Sequence, residues 1–573
     1  MAMIMVVAMF ASCGGGGNNG GGNNGGETGG ETGGETGGET GGETGGETGG
    51  NDGYFWDSAQ ILVQLYENDN KGELSSTLKR YLSGEDDSAT ADIDNYVDER
   101  NEAAEAATKV DAVYDYTTDY AWGGSLDDIT TKTKSTSQSA PDVYCNFVYD
   151  LTSLALKGCF ANLKSTGANG QNYFRFNDAD YNPAGENYFD SSAGEGYFYD
   201  YMKSLSLANA SGEYDKMYCL ASDYCVDLVR AFLVMPVNVE MMENIDLDEA
   251  YKTGDTADLD GDGKFTILDF YKLVEAGDWT YDALATYAGL VANDNGDVEG
   301  EWDLQDTLGA AFGRTSGLTA SGLLYTSSVK IIQRTGNTYA YGATNQALTD
   351  FANALAPLFT ETRGIAAITA QGGTELGEIA AIRDQFSVGT KLLFGGVICV
   401  GSLEDPAYQA LNEQKGFGIV PVPVYKSGDE YLTLVHNLAR VVAIGKNTRE
   451  FEQCTAFLNY QSMNSSKILE AYYDDQLVAA VSEGGAGDQN IAMLTYIKNH
   501  VRDCFDKTYE DVIAAYMKSP EGGNDKDADA KRWHQILYSN GYVVTNMATL
   551  YGDYYDEKAA QLETVLTEWA GLE

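Results

Sequence analysis

Cationic side chains are scarce in this 573-residue chain: 36 Lys and Arg stand against 87 Asp and Glu, a formal net charge of −51. A field of that sign repels phosphate backbones and anionic lipid head groups, which excludes nucleic acid and anionic membrane surfaces as partners. Histidine is scarcer still, with three residues, His436, His500 and His534. None lies in a His-Glu-x-x-His or other paired metal spacing, and the chain has neither a Gly-x-Ser-x-Gly elbow nor a Gly-x-x-x-x-Gly-Lys loop. The common hydrolase and phosphate-cradling signatures are therefore missing. Carboxylates are abundant, so a glycosidase-type pair is a matter of separation in space rather than of count. No catalytic residue is assigned, and the chain is read as a non-enzyme. No segment is apolar for long enough to cross a bilayer.

The first residues supply what a membrane span does not. Met1 to Phe10 is apolar, and Ala11, Ser12 and Cys13 are followed by glycine. This looks like the end of a bacterial lipoprotein signal, in which Cys13 becomes the lipidated first residue, although no Lys or Arg precedes the apolar run. Residues 14–53 then carry Gly and Asn followed by six copies of Glu-Thr-Gly-Gly ending at Gly50, a composition with nothing to bury. Such a segment is a flexible linker, and about 40 residues of it reach roughly 35 Å. Anchor and tether together place the folded body at the extracellular face of a cell membrane. Apart from Cys13, seven Cys remain, so at least one thiol lacks an intramolecular partner. Cys219 and Cys225 are near enough in sequence to pair or to remain buried free thiols.

The sharpest local pattern is an acidic loop. Asp258, Asp260, Asp262 and Asp269 fall at the first, third, fifth and twelfth positions, with Gly263 at the sixth. That spacing wraps a chain around calcium. Lys264 offers its carbonyl at the seventh position, Phe265 an apolar anchor at the eighth, and Thr266 fits the ninth. Asp269 stands where the usual EF-hand has Glu, which resembles the calcium loops of dockerins. Dockerins carry two tandem loops, and one complete loop is present here, so calcium is expected to stabilise rather than to signal. The turn Asn293-Asp294-Asn295-Gly296-Asp297 is also oxygen-rich, but its Gly and closing carboxylate are out of register for such a loop.

From Tyr54 onward the composition is globular, with abundant Tyr and few Pro, and the length exceeds what one core usually supports. Ile61 to Tyr66 reads as a buried strand, Asp92 to Val110 as a helix, Ala140 to Val148 as extended and Leu151 to Leu163 as helical. Strands alternating with helices predict an α/β fold with mostly parallel sheets. Thr280 is the expected N-cap of the apolar helix through Leu284, Tyr287, Ala288 and Val291. Trp279 and Trp302 read as packing residues that could also stack on sugar rings.

Several segments, in order, resemble the extracellular solute-binding proteins of ABC importers, of the carbohydrate-like family 1 type. Phe270 to Gly309 matches a Trp-Thr-x-Asp helix start leading into an Asp/Asn/Gly-rich turn. Phe386 to Val400 resembles the family's Phe-x-x-Gly-Lys strand, Phe417 to Tyr425 its Gly-Ile-Val-Pro-x-Pro strand, and Thr448 to Gln461 the helix after Ala-Ile-x-Lys-Asn-Thr. Upstream, Ile93 to Ala103 resembles a helix containing Glu-Arg-Asn, Asp142 to Leu163 an Asp-x-Tyr strand and its helix, and Ser211 to Asp223 a strand pair. The resemblance implies a two-lobed periplasmic-binding-protein-like fold of type II with hinge-linked lobes. Lobe 1 is expected over about 54–155 and 396–440, and lobe 2 over about 156–395 and 441–573, the calcium loop being an addition to it. It further implies a monomeric receptor that captures a solute of the sugar or oligosaccharide class between its lobes and delivers it to ABC permease subunits. By analogy with cleft loops of such folds, Asn146, Tyr149, Asp223, Tyr224 and His436 are the expected substrate-binding residues. The alternatives are a calcium-dependent cell-surface adhesion or scaffold protein and a glycan-degrading protein.

Overall fold

The computed structural model describes residues 54–67, 78–84, 92–118, 124–174, 198–245, 266–296, 301–369, 373–414, 416–477 and 487–572. The chain divides into Met1–Gly53 and Tyr54–Glu573, and the described residues all belong to the second unit. Its strands are β1 Ala59–Tyr66, β2 Val110–Thr117, β3 Val143–Phe147, β4 Leu233–Asn238, β5 Leu308–Gly313, β6 Ile332–Thr335 and β7 Thr338–Tyr341. They continue with β8 Ile365–Ile368, β9 Leu392–Phe394, β10 Ile398–Cys399, β11 Phe417–Val420 and β12 Arg440–Ile444. Among the described residues no helix is long and apolar enough to cross a membrane.

Two sheets organise this body. The first has the order β12-β3-β1-β2, with β1 parallel to both β2 and β3. Ile61, Val63 and Leu65 alternate with Leu62, Gln64 and Tyr66 along β1, and nearly all are buried because both faces of the sheet are covered. The polar exception, Gln64, is satisfied: its amide donates to Asp115 O and Thr117 Oγ1, and its Oε1 accepts from Lys132 Nζ. The second sheet has the order β10-β4-β9-β5-β8, with β11 also paired to β4. Small residues let helices lie close to it. A Cβ on Gly309 of β5 would stand 2.0 Å from the Cα of Ala288, in the helix Tyr281–Val291. Trp279 is part of this core, its Nε1 donating to Pro421 O at 2.9 Å and its ring lying against Phe270 and Phe394. Trp302 is partly buried against the same core.

Both sheets are mixed: the first is mostly parallel, as expected, with one antiparallel pairing, whereas in the second the antiparallel pairings outnumber the parallel ones. β12 is antiparallel to β3, and β4 is antiparallel to β9, β10 and β11. The reason lies in the two segments that cross between the sheets. One runs from the first sheet to β4, the other returns from β11 to β12, and they pair antiparallel where they pass. Leu233 N–H donates to Leu434 O at 3.0 Å, and His436 N–H to Ala231 O at 2.9 Å. This pair of crossing strands is the hinge of a two-lobed α/β fold. The expected lobe boundaries need correction here. β10 and β11 belong to the second sheet, and β12 carries the chain back to the first, so residues 398–420 fall in the lobe opposite to the one expected.

Local expectations from sequence held at Asp92 and Thr280 and were shifted at the helix after β3. The helix expected over 92–110 spans Asp92–Thr108, and Thr280 Oγ1 caps its helix by accepting the Ala283 N–H. The helix expected over 151–163 is Val148–Leu156 and stops before Gly158, whose φ of +67° suits a residue without a Cβ. Cys145, Cys159, Cys219, Cys225, Cys399, Cys454 and Cys504 are all buried, and among the described residues none of them forms a disulfide.

Candidate functional site

Two helix starts stand beyond the carboxyl ends of the parallel strands β5 and β8. After Gly313, Ser316 opens the helix Gly317–Tyr325, its Oγ accepting the Thr319 N–H at 3.1 Å. After Ile368, Thr374 opens the helix Glu375–Ser387 by accepting the Gly377 N–H at 3.2 Å. Glu375 ties the two together, its Oε1 accepting the Leu318 N–H at 3.0 Å. Open α/β sheets present ligands at this edge.

A cavity of about 430 Å³ lies there. Gly317, Leu318 and Ser321 form one wall, Thr374 to Leu376 a second, and His436 and Asn437 of the hinge a third. Lys507, Asp529, Arg532, His534, Gln535 and Tyr538 complete it from the C-terminal helices. Of these, the helix Phe505–Lys518 is buried at every position from Phe505 to Met517 and packs on the helix Val148–Leu156 of the first lobe. The cavity therefore touches the hinge and elements tied to both sheets.

Beneath it lies a network of buried charge. Asp511 accepts from Arg532 Nη1 at 2.6 Å, from Asn437 Nδ2 at 2.6 Å and from Lys507 Nζ. Burial would raise the Asp511 carboxyl, but Lys507 and Arg532 outweigh it and hold the group well below the usual carboxylate range. Next to it, Glu510 accepts from Trp533 N–H at 2.9 Å, Lys558 Nζ at 3.2 Å and the Tyr325 hydroxyl. Burial opposes its ionisation too, yet Lys558 and His534 bring it down to about 2. Burial, reinforced by Lys507, pulls His436 down to about 3 and His534 to about 4, so both imidazoles are neutral near pH 7. In His436, Nδ1 accepts the Leu438 N–H at 3.3 Å, which leaves the proton on Nε2.

Of the five residues expected at a substrate site, His436 lines this cavity. Tyr149 follows β3, where its N–H donates to Asn437 O at 3.4 Å, and its side chain lies within electrostatic reach of Asp529 and Arg532 behind the cavity wall. Asn146 is buried in β3, donating to Ser125 Oγ and to Asp150. Tyr224 is buried, with its hydroxyl on Leu220 O. Asp223 is buried beside it, with Oδ1 unpartnered among the described residues. The cavity residues that sequence reasoning missed are Asn437, Lys507, Arg532, Asp529 and Glu375. The available signal was a capping Ser or Thr a few residues after a short run of buried small residues, at Ser316 and Thr374.

Burial pushes the Asp223 carboxyl up to about 7. The folded chain then keeps a proton that the unfolded chain releases near pH 4. This group's favourable contribution is full below about pH 4 and is lost as pH rises through about 7. Asp223→Asn should raise stability at about pH 8 by on the order of 1–3 kcal/mol, and far less at about pH 4. Urea denaturation at the two pH values measures this, and an equal change at both would contradict it.

Asp258, Asp260, Asp262 and Lys264 of the calcium-type loop lie outside the described residues. Its last positions are described. Thr266 caps the helix Ile267–Glu275, and Asp269 is buried, its Oδ2 accepting the Thr266 N–H at 2.8 Å. The oxygen-rich turn near Asn293 is closed by a carboxylate: Asp306 accepts the Asn295 N–H at 2.9 Å and the Asp303 N–H at 2.9 Å. Among the described residues no group of three or more His, Cys, Asp or Glu is placed to hold a metal ion.

No known protein-family profile matches the chain, and no curated protein matches it in sequence. Solved structures similar to it include the GacH receptor of Streptomyces glaucescens GLA.O, described unliganded and with acarbose. That match has 11% identity, covers 88% of this chain and 99% of the other, and has a TM-score of 0.44. The galacto-N-biose-/lacto-N-biose I-binding protein of the ABC transporter from Bifidobacterium longum matches at 12% identity, over 87% and 97% of the two chains, with a TM-score of 0.46. The maltose/maltodextrin-binding domain MalE from Bdellovibrio bacteriovorus, bound to maltotriose, matches at 12% identity, over 84% and 99%, with a TM-score of 0.41. With TM-scores below 0.5, these likenesses assign neither a ligand nor a role to this chain.

Proposed function

We propose that this chain is the solute-binding receptor of an ABC importer, holding a sugar or oligosaccharide at the hinge between its lobes and passing it to membrane permease subunits. The observation that carries this reading is the cavity itself. It sits beyond the carboxyl ends of β5 and β8, against the paired crossing strands, where a change of hinge angle would alter its walls. A ligand that contacts both lobes favours the closed arrangement by its differential affinity, with no chemistry required. The ordered resemblance of the sequence segments supports the same assignment. In this reading Cys13 carries the lipid anchor, residues 14–53 hold the body off the extracellular membrane face, and calcium bound by the loop from Asp258 to Asp269 stabilises the fold.

A thermal-shift screen of the full chain against mono- and oligosaccharides, amino acids and peptides, with and without calcium, tests each part. One sugar class should raise the melting temperature in a dose-dependent way, by mass action, with no product formed. Stabilisation by amino acids or peptides alone, or conversion of a glycan, would overturn the carbohydrate receptor. Chelation should lower the melting temperature, and an unchanged value would remove calcium from the account.

A further inference from the structure

The hinge contributes two consecutive side chains to the cavity, and they have opposite hydrogen-bonding character. Asn437 is almost wholly buried, its Nδ2 donates to Asp511 Oδ2 at 2.6 Å, and its Oδ1 has no partner among the described residues. His436 presents the complementary atom. Its Nδ1 is engaged by the Leu438 N–H, so Nε2–H is its remaining donor. A buried amide oxygen without a donor costs free energy unless something supplies one, and a ligand that covers the His436 N–H must bring an acceptor for it. A hydroxyl group meets both, because it donates and accepts.

The full charges around the cavity point to an uncharged ligand. Lys507 and Arg532 converge on Asp511, Asp529 binds Lys518 through Oδ2 while its Oδ1 has no hydrogen-bond partner among the described residues and stands 3.6 Å from Arg532 Nη2, and both imidazoles are neutral. Glu375 lies at the N-terminus of the helix Gly317–Tyr325, where the helix dipole favours a carboxylate. An incoming carboxylate would have to draw Lys507 or Arg532 from Asp511, and an ammonium would have to stand beside Arg532 to reach Asp529, whereas a hydroxyl requires neither.

We propose that His436 and Asn437 are specificity-determining residues that read hydroxyl groups of an uncharged ligand, which donate to Asn437 Oδ1 and accept from His436 Nε2–H. The proposal rests on the receptor reading given above. It predicts that a neutral sugar is taken in preference to the same sugar carrying a carboxylate or an amine.

Calorimetric titration of the full chain with two matched sets, glucose, glucuronate and glucosamine, and galactose, galacturonate and galactosamine, together with maltotriose, tests it. A neutral member should bind at least about tenfold more tightly than its charged counterparts. His436→Phe, which keeps the ring and leaves the Asp511 contacts intact, should weaken that binding about tenfold or more. His436→Gln, which restores a donor near the position of Nε2, should stay within about threefold of the parent. Asn437→Leu should weaken binding as much; because it also removes a contact to Asp511, its unfolding midpoint is measured alongside, and the two His436 variants decide the matter where that midpoint collapses. Binding of a neutral sugar that is indifferent to His436→Phe, or tighter binding of a charged member, would overturn this inference and leave the receptor reading standing. Binding of amino acids or peptides with no response to any sugar would overturn both.

Discussion

Replacing Asp511 by alanine is expected to destabilise the protein by about 3–5 kcal/mol, because it leaves the cations of Lys507 and Arg532 buried without their shared counter-ion. Asp511 is fully buried, and Lys507 and Arg532 are nearly so. Arg532 retains a contact to Asp529, but at 3.6 Å and with a partly exposed partner. Asp511→Asn should cost less, since an amide oxygen still accepts from one of the donors. Lys507→Met combined with Asp511→Asn should recover part of the loss, giving a non-additive cycle, because the two groups share one network. The sign with pH follows from a carboxyl held below its ordinary range. Its contribution is present above the unfolded carboxylate pKa of about 4 and declines as pH falls below that. The gap between parent and variant in urea denaturation should therefore be widest near about pH 7. A loss under about 1 kcal/mol there would mean the cations find other partners. The same substitution removes the anchor of the Asn437 amide, so ligand affinity should fall with stability.

That network also shows what the sequence concealed. Asp506, Lys507, Glu510 and Asp511 are clustered charges on a helix, a pattern that ordinarily marks a solvated face, yet the helix from Phe505 is enclosed on all sides. Its charges tolerate burial because Arg502 and Lys507 pair with Asp506 and Asp511 one turn on, while Arg532 and Lys558 come from distant segments to Asp511 and Glu510, and those longer pairings leave no local trace. Elements defined by their own periodicity were legible. The apolar run from Ile61, the helix from Asp92 and the Thr280 cap emerged with ends displaced by a few residues at most. Sheet membership was not. β11 and β12 are similar short apolar strands, and only the crossing at Leu434 to His436 decides that one joins β4 and the other β3. The candidate site suffered for the same reason. His436 reached the cavity because it sits on that crossing, whereas Asn146 and Tyr224, chosen as neighbours of cleft loops, are occupied with packing in the first lobe.

The largest effect away from the cavity is expected at Asp227. Its carboxylate accepts from Arg230 Nη1 at 2.9 Å and from Arg440 Nη1 at 3.1 Å, with all three side chains fully buried. The two arginines differ in what remains without it. Arg230 still holds Glu404 through Nε and Nη2, at 2.9 and 3.0 Å. Arg440 has Nε and Nη2 unpartnered among the described residues, so its remaining neighbour is the face of Phe147, 4.7 Å away. Asp227→Ala thus isolates a buried guanidinium, at a cost of about 3–5 kcal/mol. Glu404→Gln should cost less, about 1–2 kcal/mol, since Glu404 is partly exposed and Arg230 keeps Asp227. Asp227→Asn with Arg440→Met should restore most of the stability, because a buried pair replaced on both sides leaves no orphaned charge. Equal losses from Asp227→Ala and from the double variant would show that shape, not charge, is what this site requires. Position adds a functional consequence. Arg440 begins β12 of the first sheet and Glu404 follows β10 of the second, so the chain Arg440, Asp227, Arg230, Glu404 spans the hinge. Interrupting it should broaden the distribution of lobe angles, seen as a larger radius of gyration by small-angle scattering under conditions where the variant remains folded. An unchanged radius would confine the network's role to stability.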